Sequence, residues 1–169
     1  SGYNNVPSMV TQPSASATPS GDGKGYLFVL DPLTGALLKT YPTGVGSTTT
    51  PSGLGKVTSV APSFYYDATS LAAYAGDLLG NVWRFDLSKE PSNTHAVKRI
   101  TTLKDSSGNV QPITSRIEIG AQPGTSNPIL YMGTGKYLSV NDLADENVQS
   151  IYAIRDPYTV TAALPNADE

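Results

Sequence analysis

The stretch YAGDLLGNVWRFDL, residues 74–87, decides the fold because two apolar runs flank a short polar loop. Asp77 heads that loop and Gly80 stands near its end, a pattern typical of a type I turn closed by a left-handed glycine. The alternative reading makes Asp77 a ligand or a general acid. The turn fits the spacing better, so we predict a hairpin whose return strand points Trp83 and Phe85 into the core.

Two other segments repeat this design. GYLFVLDPLTGALLKTY, residues 25–41, predicts two strands joined by a turn from Asp31 to Gly35. The continuous apolar run YLFVL is typical of a strand covered on both faces. AVKRITTL predicts one further strand before a DSSGN turn, and ITSRIEIG, ILYMG and SIYAIRD predict strands in the last third of the chain.

An internal repeat connects these segments. LFVLD, VWRFD and IYAIRD end at Asp31, Asp86 and Asp156, which are 55 and 70 residues apart, and YAG and YMG end at Gly76 and Gly133. The last unit carries 13 extra residues between its glycine and its aspartate, and without them the second spacing falls to 57. The repeat predicts three units, at residues 24–56, 57–110 and 111–160.

A period near 55 with several short strands is typical of propeller blades. We therefore predict an all-β chain that forms a partial β-propeller of about three four-stranded antiparallel blades. A β-sandwich is the alternative, but its wet outer faces would give cleaner polar–apolar alternation. Three blades cannot close a ring, so two apolar blade faces stay uncovered. We expect the chain alone to associate or misfold, and further blades or other copies to cover those faces.

Composition excludes several classes of site. The chain lacks cysteine, which excludes thiolate zinc sites, iron–sulfur clusters and disulfides. Its net charge is −3 and its lysines and arginines are scattered, which argues against a nucleic-acid groove or an anionic membrane surface. Residues 7–23 are rich in Pro, Ser, Ala and Thr and predict a flexible loop. The sequence opens without methionine and reads as part of a longer precursor, and the tail from residue 157 predicts a weak strand.

We assign no catalytic, cofactor-binding or metal-binding residue. Asp31, Asp86 and Asp156 are interpreted as residues that end strands or begin turns. His95 is the only histidine and lies in the polar segment EPSNTHAV, so we interpret it as a surface residue. No G-x-S-x-G or H-E-x-x-H pattern accompanies it.

The extra segment of the last unit, residues 134–150, is the strongest remaining candidate for binding. It holds Asp142, Asp145 and Glu146 close together, and we expect one helical turn there. The order of these acids does not match a calcium loop. A solvated loop or a contact with neighbouring chain is the preferred interpretation. GTG at 133–135 lacks the lysine and serine of a phosphate loop.

The blocks GYLFVLDPLTG, YAGDLLGNVWRFDLS, QPITSR and LYMGTGKYLS…QSIYAIRD resemble the C-terminal β-propeller of the PilY/PilC type IV pilus biogenesis factors and tip adhesins. This resemblance covers nearly the whole chain in the same order. It implies a large secreted protein that acts with minor pilins at the pilus tip in assembly, retraction and surface attachment. It also implies a possible calcium loop before the YAGD strand. Here only Asp67 precedes that strand, so we expect no calcium site.

The first hypothesis is therefore a non-enzymatic structural and adhesive module of the type IV pilus, located outside the cell. Its partners would be the rest of the parent propeller, pilins or minor pilins, and a host or abiotic surface. A second hypothesis, suggested by the turn in VLDPLTG, is a fragment of a quinoprotein-like propeller enzyme, although no catalytic cluster supports it. A third is a processed fragment that packs into or onto an extracellular filament through its blade faces.

Overall fold

The computed structural model describes residues 21–61, 68–120 and 127–158. These ranges contain three antiparallel sheets, of two, four and three strands in chain order. The strands are β1 (Tyr26–Leu30), β2 (Leu37–Pro42), β3 (Val57–Val60), β4 (Ala72–Gly76), β5 (Asn81–Asp86), β6 (Val97–Thr102), β7 (Glu118–Gly120), β8 (Ile129–Gly133) and β9 (Ile151–Arg155). A 3-10 helix, Val140–Ala144, lies between β8 and β9. Within the described ranges, no helix has the length and apolar character needed to cross a bilayer.

Each sheet is a meander in which neighbours in sequence are neighbours in space. The first sheet is the β1–β2 hairpin, the second has the order β3-β4-β5-β6, and the third has the order β7-β8-β9. The predicted hairpins are confirmed, and the all-β class with them. Among the described residues, only the second sheet has the four strands predicted for each blade. The unit boundaries 24–56, 57–110 and 111–160 stay predictions. Residues 7–20 of the loop predicted at 7–23, and the tail beyond residue 158, lie outside the described residues.

The second sheet is buried on both faces. All residues of β4 and β5 are buried. One face contacts the first sheet through a core that contains Tyr41, Trp83 and Phe85. The opposite face contacts the third sheet through a core that contains Tyr74 and Leu130. Successive sheets therefore stack face to face, as blades do, and the predicted core positions of Trp83 and Phe85 are confirmed.

The part of the chain that the structure describes covers the first sheet on one face only, so the prediction that YLFVL is covered on both faces was wrong for these residues. Leu27 and Val29 pack against the second sheet. The alternate residues Phe28 and Leu30 are 49% and 53% exposed, because no sheet within residues 21–61, 68–120 and 127–158 lies on that side. On β2, Leu37 pairs with Leu30 and is 58% exposed. The result is an apolar outer face on the first sheet.

Candidate functional site

Asp77 is a turn residue, as its spacing predicts. Its Oδ1 accepts hydrogen bonds from the backbone N–H groups of Leu79 at 2.9 Å and Asn81 at 2.8 Å. Gly80 has φ +71°, the left-handed conformation that closes the turn. This local geometry alone explains an aspartate at the head of the loop.

The second oxygen of Asp77 holds a buried network. Asp77 Oδ2 accepts hydrogen bonds from Asn81 Nδ2 at 2.9 Å, Trp83 Nε1 at 2.8 Å and Ser52 Oγ at 3.1 Å. The Asp77 side chain has no exposed surface. Ser52 follows the first sheet, so this carboxylate also ties the first sheet to the second. With five donors already bound, it offers a ligand no vacant oxygen.

The turn Asp105–Asn109 provides an exposed copy of the same geometry. Both turns read D-x-x-G-N. Asp105 Oδ1 accepts the backbone N–H groups of Ser107 and Asn109 at 2.8 Å each, and its Oδ2 accepts Asn109 Nδ2 at 2.9 Å. These bonds lower the pKa of Asp105, that from the Asn109 side chain most strongly. Turn geometry alone explains the aspartate in the exposed turn. The same geometry explains Asp77, without a binding or catalytic site.

Asp31 also heads a turn. Its Oδ1 accepts the backbone N–H groups of Leu33 at 2.8 Å and Thr34 at 2.9 Å. The hydrogen bonds from Thr34 and then Leu33 hold the pKa of Asp31 below its usual value. Gly35 follows with φ +72°. The predicted DPLTG turn is confirmed.

Asp86 and Asp156 meet at one arginine, which the sequence did not predict. Both lie at strand ends as expected, Asp86 as the last residue of β5 and Asp156 directly after β9. Arg84 Nη1 lies 3.3 Å from Asp86 Oδ2, and Arg84 Nε lies 3.1 Å from Asp156 Oδ2. The hydroxyl of Tyr74 donates to Asp156 Oδ2 at 2.6 Å. The network joins the second and third sheets.

The network's charges support one another in spite of burial. Burial disfavours the Arg84 cation, but Tyr74 and the carboxylates of Asp156 and Asp86 outweigh burial, so the pKa of Arg84 is raised. Burial, followed by the hydrogen bond to Asp156, raises the pKa of the Tyr74 phenol.

Asp86 is held as a carboxylate by neighbours that oppose its burial. Burial alone would raise its pKa, but hydrogen bonds from Lys89 and Ser88 and the charge of Arg84 outweigh burial, and the pKa of Asp86 is lowered. Its Oδ1 accepts the Ser88 hydroxyl at 2.6 Å, and Lys89 pairs with its Oδ2. Like Asp77, this carboxylate is occupied by donors of the chain itself.

One signal could have revealed the network. Arg84 is the only charged residue inside the apolar run VWRF of a strand predicted to be buried. A buried guanidinium needs carboxylate partners. The aspartates that end the neighbouring strands were the available candidates, but the sequence did not show which of them come near.

His95 lies on the surface, as predicted. It is exposed, and its Nδ1 lies 3.2 Å from the hydroxyl of Thr94. Trp83 and Phe85 fill the core between the first two sheets. The backbone N–H groups of Thr134 and Gly135, within the GTG segment, donate to carbonyls of Ser150 and Pro112, so they do not form a phosphate cradle.

The acids of the segment 134–150 stabilise their own loop. The predicted helical turn is present as the 3-10 helix, and Asp142 Oδ2 accepts the backbone N–H groups of Leu138 and Ser139 at 2.9 Å each. These bonds, with Lys136, lower the pKa of Asp142 to about 2. Asp145 accepts the backbone N–H of Asn147, whereas Glu146 is exposed.

No metal-binding group of three His, Cys, Asp or Glu side chains occurs within residues 21–61, 68–120 and 127–158. Asp67, the one acid that precedes the YAGD strand in the family's calcium-loop position, lies outside those ranges. The expectation that this segment binds no calcium stays a prediction.

The outer face of the third sheet copies the buried face of the second. On β4 and β5, Tyr74 and Val82 are fully buried against the third sheet, and Val82 pairs with Gly76. On β8 and β9, the equivalent residues are Tyr131 and Ile151, since Ile151 pairs with Gly133 in the same way. Tyr131 is 44% exposed and Ile151 is 88% exposed. A surface built like a blade interface is therefore not covered by any of the described residues.

Known proteins are similar to this chain in sequence. The family model of the PilY1 beta-propeller domain matches residues 7–167. The chain is 27% identical over 158 residues to a type IV pilus biogenesis factor PilY1 homolog of Xylella fastidiosa, covering 81% of this chain and 10% of that protein. It is 30% identical over 158 residues to the type IV pilus biogenesis factor PilY1 of Pseudomonas aeruginosa PAO1, covering 80% of this chain and 13% of that protein.

A solved structure agrees with these matches. The crystal structure of the Pseudomonas aeruginosa PilY1 C-terminal domain superposes with a TM-score of 0.67 at 29% identity, covering 83% of this chain and 32% of that domain. The chain thus spans about a tenth of the curated relatives and about a third of the solved domain. The stacked sheets are part of a β-propeller, which confirms the predicted partial propeller, and the chain belongs to the PilY1 β-propeller domain family.

Proposed function

We propose that this chain is a non-enzymatic structural module of type IV pilus biogenesis, forming consecutive blades of a larger propeller. The uncovered copy of a blade interface on the third sheet carries the proposal. The relatives it matches are named pilus biogenesis factors. The aspartates that could have suggested catalysis instead bind turn amides or Arg84.

The outer faces of the first and third sheets are the proposed contacts with the rest of the parent propeller. Phe28 and Leu30 expose apolar surface at one end of the stack, and Tyr131 and Ile151 do so at the other. Burial of apolar surface of this kind contributes a favourable free energy of about 25 cal/mol per Å². We therefore expect a neighbouring blade on each side.

We also propose an extracellular location at the pilus tip, with pilins or minor pilins as further partners and roles in retraction control and attachment to host or abiotic surfaces. The relatives' names support a pilus role in general. The exposed apolar residues of the segment 134–150, among them Tyr137, Val140 and Leu143, offer a surface beyond the sheet faces for such contacts. No cofactor is invoked.

Charge placed on the outer face of the third sheet tests the structural role. Ile151→Asp in the parent protein, in its own host, would bury a carboxylate between blades. We expect loss of surface pili and of twitching, measured by electron microscopy and by colony spreading. Leu33→Asp, in the exposed turn between β1 and β2, is the matched control for blade packing and should leave piliation unchanged. Normal pili in both variants would contradict the proposal.

The same outer faces favour a second candidate, a processed fragment that packs into or onto an extracellular filament. In that case copies of the chain, or pilin, would cover Phe28 and Ile151 in place of the missing blades. Sedimentation and electron microscopy of the chain with and without pilin test this candidate. Isolated monomers at every concentration, with pilin present, would exclude it.

A further inference from the structure

A cavity of about 400 Å³ lies beside the Arg84 network, at the open end of the contact between the second and third sheets. Its volume falls within the range of about 300–1,000 Å³ found for small-ligand sites. The lining residues come from β5, β6, the loop between them and the segment after β9: Arg84, Asp86, Lys89, His95, Lys98, Pro157 and Tyr158.

The cavity has an excess of positive charge. Arg84, Lys89 and Lys98 are cations, and among the described residues Asp86 and Asp156 are the carboxylates that pair with them, which leaves one excess positive charge without counting His95. Both carboxylates are already committed to the other cations. Asp86 binds Arg84 and Lys89, and Asp156 binds Arg84 and the Tyr74 hydroxyl.

Lys98 carries the unmatched charge. It lies directly opposite Arg84 in the β5–β6 ladder, so both side chains are on the same face of the sheet. Like charges directly opposite each other destabilise an antiparallel pair. Lys98 is half-buried, and in contrast to Arg84 its side chain makes no ion pair or hydrogen bond with the residues that the structure describes. An anion placed between these two cations would remove the repulsion.

The wall of the cavity suits an anion on an apolar stem. The Tyr158 ring lies over Arg84, with its centroid 5.9 Å from the guanidinium carbon. The backbone N–H of Tyr158 donates to Asp156 Oδ1 at 2.9 Å, which holds the main chain of Tyr158 beside the cavity. Pro157 extends this apolar wall. Charged donors therefore face an apolar surface across the cavity.

We propose that this cavity binds a carboxylate group, held by Lys98 and flanked by Tyr158. A carboxylate carries one negative charge, which matches the one excess positive charge. A phosphate dianion would instead place surplus negative charge beside two buried carboxylates. The carboxylate can belong to an acidic side chain of a polypeptide or to a free organic acid. The proposal is independent of blade packing, so its failure would leave the proposed function untouched.

Saturation-transfer NMR on the 169-residue chain tests the site, because it detects weak ligands of large or associated proteins. The probes are acetate, the peptide acetyl-Gly-Glu-Gly-amide and methylphosphate, each at the same ionic strength. We expect transfer to acetate and to the peptide. Lys98→Met should weaken binding about tenfold or more, since it removes the charged partner. Lys98→Arg should retain it.

Arg99→Met is the matched control. Arg99 is the next residue of β6, is exposed and points to the opposite face. The variant loses the same charge and should bind acetate as the unaltered chain does. Fluorescence of Trp83, the only tryptophan, reports whether each variant keeps its fold.

The probes also identify the source of the carboxylate. Peptide binding much tighter than acetate binding would indicate a polypeptide partner, and equal binding would indicate a small organic acid. Transfer to methylphosphate alone, no transfer to any carboxylate from the unaltered chain, or equal weakening by Lys98→Met and Arg99→Met would each overturn the proposal. The first two results need no variant, so a variant that fails to fold would not leave the proposal untested.

Discussion

Replacing Asp77 with alanine tests whether a buried carboxylate holds the second hairpin and the preceding loop together. The change removes both oxygens and leaves five donors without their acceptor. Each buried donor left without a partner costs about 1–3 kcal/mol. Even if only two of the five donors stay unpaired, the free energy of unfolding falls by about 2–6 kcal/mol. Total stability for a domain is about 5–15 kcal/mol. We therefore expect a large loss, near the limit of folding.

The chain contains its own control for this experiment. Asp105→Ala removes the same turn contacts from an exposed copy, where water replaces the lost acceptor, so its effect should be much smaller. Asp77→Asn gives an intermediate test if the alanine variant does not fold. Its amide oxygen can still accept the turn N–H groups, but its amide nitrogen would oppose the donors of Trp83 and Ser52.

The measurement is urea unfolding followed by Trp83 fluorescence at one fixed protein concentration, because association makes apparent stability depend on concentration. Trp83 donates directly to Asp77, so its emission reports on the network itself as well as on the fold. Equal losses for Asp77→Ala and Asp105→Ala would refute the reasoning. So would a loss of less than about 1 kcal/mol for Asp77→Ala.

Three further predictions concern the same turns and the Arg84 network. Gly80→Ala should destabilise the chain more than Gly108→Ala in urea unfolding: both glycines have positive φ, but a Cβ at Gly80 would lie 2.9 Å from two backbone carbonyl oxygens, whereas nothing lies within 4 Å at Gly108. The pKa of Asp86 is lower in the folded state than in the unfolded state, so the Asp86 carboxylate stabilises the fold above about pH 4, and this stabilisation is lost as the pH falls through the folded-state pKa. Asp86→Asn should therefore weaken the dependence of the free energy of unfolding on pH in the acid range. An unchanged dependence would contradict this. The pKa of Tyr74 is higher in the folded state than in the unfolded state, so the Tyr74 phenol stabilises the fold below about pH 10, and this stabilisation is lost as the pH rises through the folded-state pKa. Tyr74→Phe should therefore weaken the dependence of stability on pH in the alkaline range, measured by thermal unfolding.

The sequence predicted the hairpins well because their causes are local. An aspartate that binds amides two to four residues ahead, with a glycine in the left-handed region, needs no information from the rest of the chain. Asp31, Asp77 and Asp105 all follow this rule. The repeat added long-range information, because equal spacing of similar strands implies equal sheets stacked in a row.

The sequence could not predict contacts between sheets. Asp86 and Asp156 are 70 residues apart, and their meeting at Arg84 depends on how the second and third sheets stack. The same limit applies to Lys98, whose unmatched charge is apparent only once Arg84 is seen opposite it. The sequence also did not predict that Phe28 and Leu30 would be exposed. A continuous apolar run predicts a strand covered on both faces, but it does not show whether this chain or another part of a larger propeller covers the second face.

Gly76 and Gly133 provide a test of the neighbouring blade that we propose on the third sheet. A Cβ at Gly76 would lie 2.3 Å from Ile113 Cγ2, since Ile113, just before the third sheet, fills the space that the glycine leaves. Gly133 holds the equivalent position on β8, yet no described residue lies within 4 Å of a Cβ built there. We expect Gly76→Ala to destabilise the chain by about 1–3 kcal/mol through overpacking and Gly133→Ala to be nearly neutral, both measured by urea unfolding. In the parent propeller Gly133→Ala should become as costly as Gly76→Ala, because a side chain equivalent to Ile113 from the next blade would then meet it. If Gly133→Ala stays neutral there, the next blade does not pack on the third sheet as the third packs on the second.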